Sequence, residues 1–199
     1  METVLKEGYE KILKLFYLNK NKEIHLRDIA RKTKLNENSV SRFLKRLEEE
    51  KLLISKKDGN LKKYKLLKNK KAFLVLSLFD IERLEKLPKL RKDAIDYFLN
   101  NLKDKPLIAL LFGSTAKRTF NDKSDLDVLL IVNKKIKTET SENYTEAQTN
   151  IKVNIIQINL LDFVKELKMK QDLVIQSALN SGYPLTNHIY FYEVVMNEN

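Results

Sequence analysis

Two short apolar runs, PLIALLF at 106–112 and DVLLIV at 127–132, constrain this chain more than any other feature. Each has the length of a buried strand and falls far short of a bilayer span. Between them lies a polar stretch that opens on Gly113-Ser114 and closes on Ser124-Asp125-Leu126-Asp127. Aspartate has low strand propensity and like charges repel, so two acids at the mouth of a buried strand call for a cation between them. A third run, KVNIIQI at 152–158, has period-two character, and LLDFVKELKMK and DLVIQSALNSG behind it are helical patterns. Strands and helices alternating at this size predict a small mixed-sheet domain over residues 105–199.

The spacing assigns chemistry to the two pairs. Gly113 lets the backbone approach a ligand closely, and the Ser114 hydroxyl and the following amides suit a phosphate. Asp125 and Asp127, two apart, project from one face of their strand. Two hard oxygens on one face suit Mg²⁺ (or Mn²⁺), which takes carboxylates together with substrate phosphate oxygens. The expectation is a loop that holds a triphosphate tail beside acids that hold the metal.

Charge divides the 199-residue chain unevenly: of a net +11, residues 1–70 carry 20 Lys+Arg against 10 Asp+Glu, a net of +10. Such a basic segment beside a near-neutral one points to a polyanion-binding module. Within it, residues 3–18 have helical apolar spacing, and the short helix that follows buries Leu26, Ile29 and Ala30. After the turn KLNEN, with Asn38 as the expected cap, Val40, Phe43, Leu44 and Leu47 form an inward stripe on a second helix. Asn38, Ser39, Arg42, Lys45 and Arg46 are its candidate DNA-contacting residues. A hairpin around Asp58-Gly59 carries Lys56, Lys57, Lys62 and Lys63. Helix, helix-turn-helix and basic hairpin in this order resemble a winged-helix domain over residues 1–68. Arg42 and Asn38 are placed to meet base edges and the wing lysines to meet phosphates.

Residues 69–104 read as a helical connector broken at Pro88. Phe73, Leu74, Leu76, Leu78, Phe79, Ile81, Leu84 and Leu87 cover too much of a helix for one partner, which fits a homodimer interface or an interdomain core equally. The predicted class is α+β: a winged helix-turn-helix, a helical connector and a small mixed-sheet domain. The absence of cysteine suits a reducing cytoplasm, and no apolar stretch reads as a membrane span.

The joined pattern GSTAKRTFNDKSDLD resembles the Gly-Ser…Asp-x-Asp motif of the DNA polymerase β-like nucleotidyltransferases, above all their minimal archaeal and bacterial members. The whole order of segments is similar to a group of archaeal fusions. The resemblance implies Mg²⁺-dependent transfer of a nucleoside monophosphate from ATP or another NTP, with pyrophosphate released. It gives nucleotide-binding roles to Gly113, Ser114, Lys117, Arg118 and Ser124, and catalytic and metal-binding roles to Asp125 and Asp127. Minimal relatives adenylylate a partner HEPN-domain toxin, so it implies a protein acceptor, with an RNA 3′ end as the other option. This sequence departs from the family twice. Ala116-Lys117-Arg118 stands where the minimal enzymes read Ala-Arg-Gly, and Asn154 stands where a third strand supplies the family's third acid. A neutral amide is no general base, and Asp162 lies outside the strand. The alternative reading is therefore a transcriptional regulator whose transferase-like domain senses nucleotide without turnover.

His25 and His188 have no metal-ligand spacing around them, and Tyr183, Tyr190 and Tyr192 read as packing residues of a C-terminal helix. If the basic segment binds phosphates, affinity for duplex DNA measured by fluorescence anisotropy falls steeply as salt rises from about 50 to 200 mM. A flat response removes this interface.

Overall fold

Val40, Leu44 and Leu47, all buried, turn one face of a helix into the core of the N-terminal unit. The computed structural model describes residues 5–20, 22–59 and 61–197, and the chain divides into two units, Met1–Phe79 and Asp80–Asn199. In the first unit α1 (Glu7–Leu18) leads to β1 (Ile24–His25), α2 (Leu26–Thr33), α3 (Glu37–Glu49), β2 (Leu53–Asp58) and β3 (Leu61–Leu66). The three strands form an antiparallel sheet in the order β1-β3-β2. This is a winged helix-turn-helix. Phe43 is only half-buried and packs edge-on against Tyr9 of α1, with ring centroids 4.7 Å apart.

Other details also differ from expectation: Leu26, like Phe43, is only half-buried, and Thr33 takes a place in the buried face of α2. Helix α1 begins at Glu7, and Val4 lies outside the described residues. The cap of α3 is Asn36, not Asn38: the Asn36 side chain accepts the Ser39 N–H at 2.8 Å, and Asn38 lies within the first helical turn. Two asparagines two residues apart look alike in sequence, but only Asn36 has the extended backbone that a cap needs (φ −70°, ψ 149°). The hairpin turn lies one residue later than expected, because Asp58 still pairs with Leu61 and Gly59 takes φ 60°. The two-residue strand β1 is too short to leave a periodic signal.

Helix α4 (Lys70–Glu85) contains the boundary between the units. In the second unit α5 (Lys89–Asn101) precedes β4 (Ile108–Leu111), α6 (Gly113–Lys117), β5 (Leu126–Val132), α7 (Glu139–Thr149) and β6 (Val153–Asn159). Then follow α8 (Leu160–Met169), α9 (Leu173–Ser181), β7 (Tyr183–Pro184) and α10 (His188–Asn197). The sheet order is β6-β5-β4-β7, with β4 antiparallel to both neighbours and β5 parallel to β6. Every residue of β4 and nearly every one of β5 is buried, which is why these two strands read as unbroken apolar runs.

A parallel pair requires a crossover, and here it is α7. Its sequence, ETSENYTEAQT, has no apolar stripe, so periodicity does not reveal it. The buried face consists of Ser141, Thr145 and Thr149. The Thr145 and Thr149 hydroxyls donate to the carbonyls of Ser141 and Thr145 at 2.8 and 2.7 Å, so burial leaves neither unsatisfied. The tyrosines also divide: Tyr183 pairs in β7 rather than lying in a helix, whereas Tyr190 and Tyr192 are in α10.

Replacing Asn36 with Ala removes the α3 cap and is expected to cost about 1 kcal/mol of stability, read by chemical denaturation of the full chain. Asn38→Ala, which removes no cap, is expected to stay within about 0.5 kcal/mol of wild type.

Candidate active site and nucleic-acid interface

Strand β4 feeds directly into a sharp turn. Phe112 is extended, and Gly113 takes φ 68° to open α6. A Cβ on Gly113 would stand 2.0 Å from Asp127 Oδ2 and 2.8 Å from Asp127 Cγ. The carboxylate of Asp127 therefore rests against the Gly113 backbone, and the two halves of the motif meet at that contact. Its other oxygen, Oδ1, accepts the Asn154 Nδ2–H at 3.1 Å. The β5–β6 register pairs Asp127 with Asn154, the position the sequence assigns to a missing acid.

Asp125 precedes β5 and is exposed, whereas Asp127 is half-buried. Leu126 between them points into the core at 0% exposure, so strand alternation turns both acids to the other side. The segment before them is closed by a small turn. The Ser124 hydroxyl accepts the Asn121 N–H at 2.9 Å, and Asn121 Oδ1 accepts the Lys123 N–H at 2.9 Å. Ser124 thus shapes the approach to the acids.

Arg91 of α5 braces this turn from behind. At 3% exposure, its Nη1 donates to Thr115 Oγ1 at 3.2 Å and to the Asp125 carbonyl at 3.3 Å. Nη2 donates to the Asn121 carbonyl at 2.9 Å, and the guanidinium lies 4.7 Å over the Phe120 ring. Burial lowers the Arg91 pKa, and the nearby Asp122 and Asp125 carboxylates act in the opposite direction.

The two expected phosphate cations differ in setting. Lys117 is exposed on α6, while Arg118 ends that helix at φ 59° and donates from Nη2 to the Arg83 carbonyl at 3.3 Å. The left-handed backbone explains why a glycine serves at this position in the motif it resembles; an arginine here holds the same conformation at a cost of roughly 1–2 kcal/mol. Arg83 donates to the carbonyls of Ala116 and Ser181 at 3.1 and 2.9 Å and stacks 4.1 Å over Tyr183. Burial raises the Tyr183 hydroxyl to about 12.

Among the described residues no group of three or more His, Cys, Asp or Glu side chains is placed to hold a metal. The donor set of Asp125 and Asp127 nevertheless fits Mg²⁺, which binds through one or two carboxylates with water and phosphate oxygens completing its octahedron. Asp162 makes no contribution: it lies in the first turn of α8, bonded to Asn159 and to Lys165.

In the first unit, Asn38, Arg42, Lys45 and Arg46 are exposed on the outer side of α3 and Ser39 is half-buried. Arg46 pairs with Glu50 at 2.7 Å and Glu49 at 3.5 Å, and Lys63 pairs with Asp58 at 2.5 Å. These exposed pairs are weak enough to be exchanged for phosphates. Lys56, Lys57 and Lys62 extend into solvent from the hairpin. A cleft of about 350 Å³, lined by Arg27, Glu37, Ser41, Lys62 and Tyr64 among others, lies between α3 and that hairpin.

Residues 92–188 match the family model described as polymerase beta, nucleotidyltransferase, and residues 11–54 match that of a winged helix-turn-helix, DNA-binding. The two matches fall on separate stretches of the chain, one within each unit. Among solved structures it is similar to AF1382 from Archaeoglobus fulgidus at 21% identity and a TM-score of 0.39, covering 43% of this chain and 94% of that one. It is also similar to Lactococcus lactis ZitR in complex with DNA, at 24% identity and a TM-score of 0.31, over 50% of this chain and 74% of that one. No curated protein matches the chain. Among the described residues no helix is long and apolar enough to cross a membrane.

The site residue that the motif does not reveal is Arg91. Its signal is present all the same: Arg91, Ala94, Ile95 and Phe98, at i, i+3, i+4 and i+7, form the buried face of α5. An arginine on a core stripe requires acceptors. The Gly113–Asp127 contact is open to a double-mutant cycle. Gly113→Ala is expected to destabilise by at least about 1–2 kcal/mol through its positive φ alone, and more through the clash. In an Asp127→Ala background the two closest of these contacts are gone and only the one at 3.1 Å from Cβ remains, so the loss measured by denaturation should shrink.

Proposed function

We propose that the chain is a nucleic-acid-binding nucleotidyltransferase that moves a nucleoside monophosphate, with AMP the first choice, from an NTP to a protein or RNA acceptor. The observation that carries this reading is the contact between Asp127 and Gly113, which joins a phosphate loop to an acid pair. The Gly113–Ser114 backbone and hydroxyl receive the triphosphate, with Lys117 as the nearby cation. Asp125 and Asp127 hold Mg²⁺, which when bound draws electron density from the α-phosphate. The acceptor oxygen attacks the α-phosphorus and loses its proton to solvent, the bond to the β-phosphate breaks, and pyrophosphate leaves. A HEPN-type toxin is one candidate protein acceptor, and the winged helix brings the chain to DNA through α3 and the hairpin lysines. A homodimer and a cytoplasmic site of action accompany this reading.

One observation favours a second reading. Asn154 donates to Asp127 in the place of a third acid and accepts no proton, so the domain has no side chain there to deprotonate an acceptor hydroxyl. On that reading it binds nucleotide without turnover and serves a DNA-binding regulator.

The test is incorporation of label from α-labelled ATP, with Mg²⁺, into the protein and RNA of a source-cell extract, with Asp125→Ala/Asp127→Ala as control. Label that requires the acid pair is the expected result and names the acceptor class. No label from any of the four NTPs, in a protein that still binds nucleotide, selects the regulator.

A further inference from the structure

Arg91 lies outside the Gly-Ser…Asp-x-Asp pattern, yet it is the only residue among those described for which a side-chain bond to Thr115 in α6 and bonds to the turn before Asp125 are both seen. We infer that Arg91 is a positioning residue that fixes the separation between the phosphate loop and Asp125, and so sets the metal affinity of the acid pair. The inference rests on the proposed nucleotide site.

The geometry is specific to a guanidinium. Three acceptors, Thr115 Oγ1, the Asp125 carbonyl and the Asn121 carbonyl, share one planar fork, with Nη1 serving the first two and Nη2 the third. A lysine ammonium carries the charge but concentrates its donors at one point and cannot reproduce that spread. Phe120 covers the guanidinium face, and Thr115 is fully buried, so water has little access to replace a lost bond. Asp125, by contrast, is exposed and has no strand on its N-terminal side to hold it. Its peptide is held from two sides: the carbonyl accepts from Arg91, and the following N–H, that of Leu126, donates to the Lys152 carbonyl at 2.8 Å. The carboxylates of Asp122 and Asp125 lie close enough to Arg91 to interact with its charge. The buried cation therefore also offsets the repulsion that gathering acids at this turn creates.

The role separates from that of Arg83. Arg83 ties the end of α6 to α9 through the Ala116 and Ser181 carbonyls. Loss of Arg83 bonds loosens packing, whereas loss of the Arg91 fork leaves Asp125 held on its β6 side alone and unties it from α6.

The experiment is a Mn²⁺ titration of the full chain, read by the electron paramagnetic resonance signal of free Mn²⁺, for wild type, Asp125→Ala/Asp127→Ala, Arg91→Lys and Phe98→Leu. Phe98 is a buried core residue on the same face of α5, so its truncation controls for lost stability. Thermal melts of all four accompany the titration. Wild type is expected to bind Mn²⁺ through the acid pair, and Arg91→Lys to weaken that binding about tenfold or more, as is usual for a residue behind a metal ligand. Phe98→Leu should melt lower with Mn²⁺ affinity kept. Equal Mn²⁺ affinity in wild type and a folded Arg91→Lys overturns the inference, as does equal weakening in Phe98→Leu at a matched drop in melting temperature. Wild-type binding that is indifferent to loss of both acids overturns instead the nucleotide-site reading on which the inference rests.

Discussion

A single close contact, the Asp127 carboxylate against the Gly113 backbone, fixes the arrangement of the second unit. It requires a residue without a side chain at the end of β4, a positive φ to turn the chain away, and a strand beside β4 that delivers its acid at the same level. The antiparallel β4–β5 register, Leu111 opposite Val128, meets the last requirement. Everything else around the site follows from holding that contact: Asn154 takes the free oxygen from one side, and Arg91 fixes the turn that leads to Asp125.

The burial of the surrounding strands gives this contact its rigidity. Residues 108–111 and 128–132 are close to fully buried, so the acids stand at the edge of a core with no freedom to slide. A register shift of one residue would turn Asp127 away from Gly113 and toward the opposite, buried face of the sheet, where its charge would be desolvated. The first unit uses a different device. Helix α3 is held by three buried residues on one side and presents an exposed, largely cationic surface on the other.

What the sequence made legible follows the strength of each physical signal. The fusion, the mixed sheet and the placement of Asn154 beside Asp127 were readable because apolar runs and a joined motif are strong, redundant patterns. Helix α7 was not, because hydroxyl-bearing residues line its buried face and bond back to their own turn. The cap at Asn36 was missed because a choice between nearby asparagines is made by backbone angles that sequence does not carry. Strand β7 is two residues long and forms only because β4 offers a free edge. Arg118 showed as an expected phosphate cation and as the loss of a glycine; its left-handed backbone and its bond to the Arg83 carbonyl are properties of the folded chain.

Asn154 sits on an outermost strand, exposed, with its backbone paired only toward β5. Exchange of an amide for a carboxylate of the same shape at such a rim disturbs neither the ladder nor the core. The chemistry at that corner is therefore free to drift while the architecture stays fixed. A lineage carrying this fold can exchange the amide that donates to Asp127 for a third acid beside it by one codon change, with no refolding between the two states.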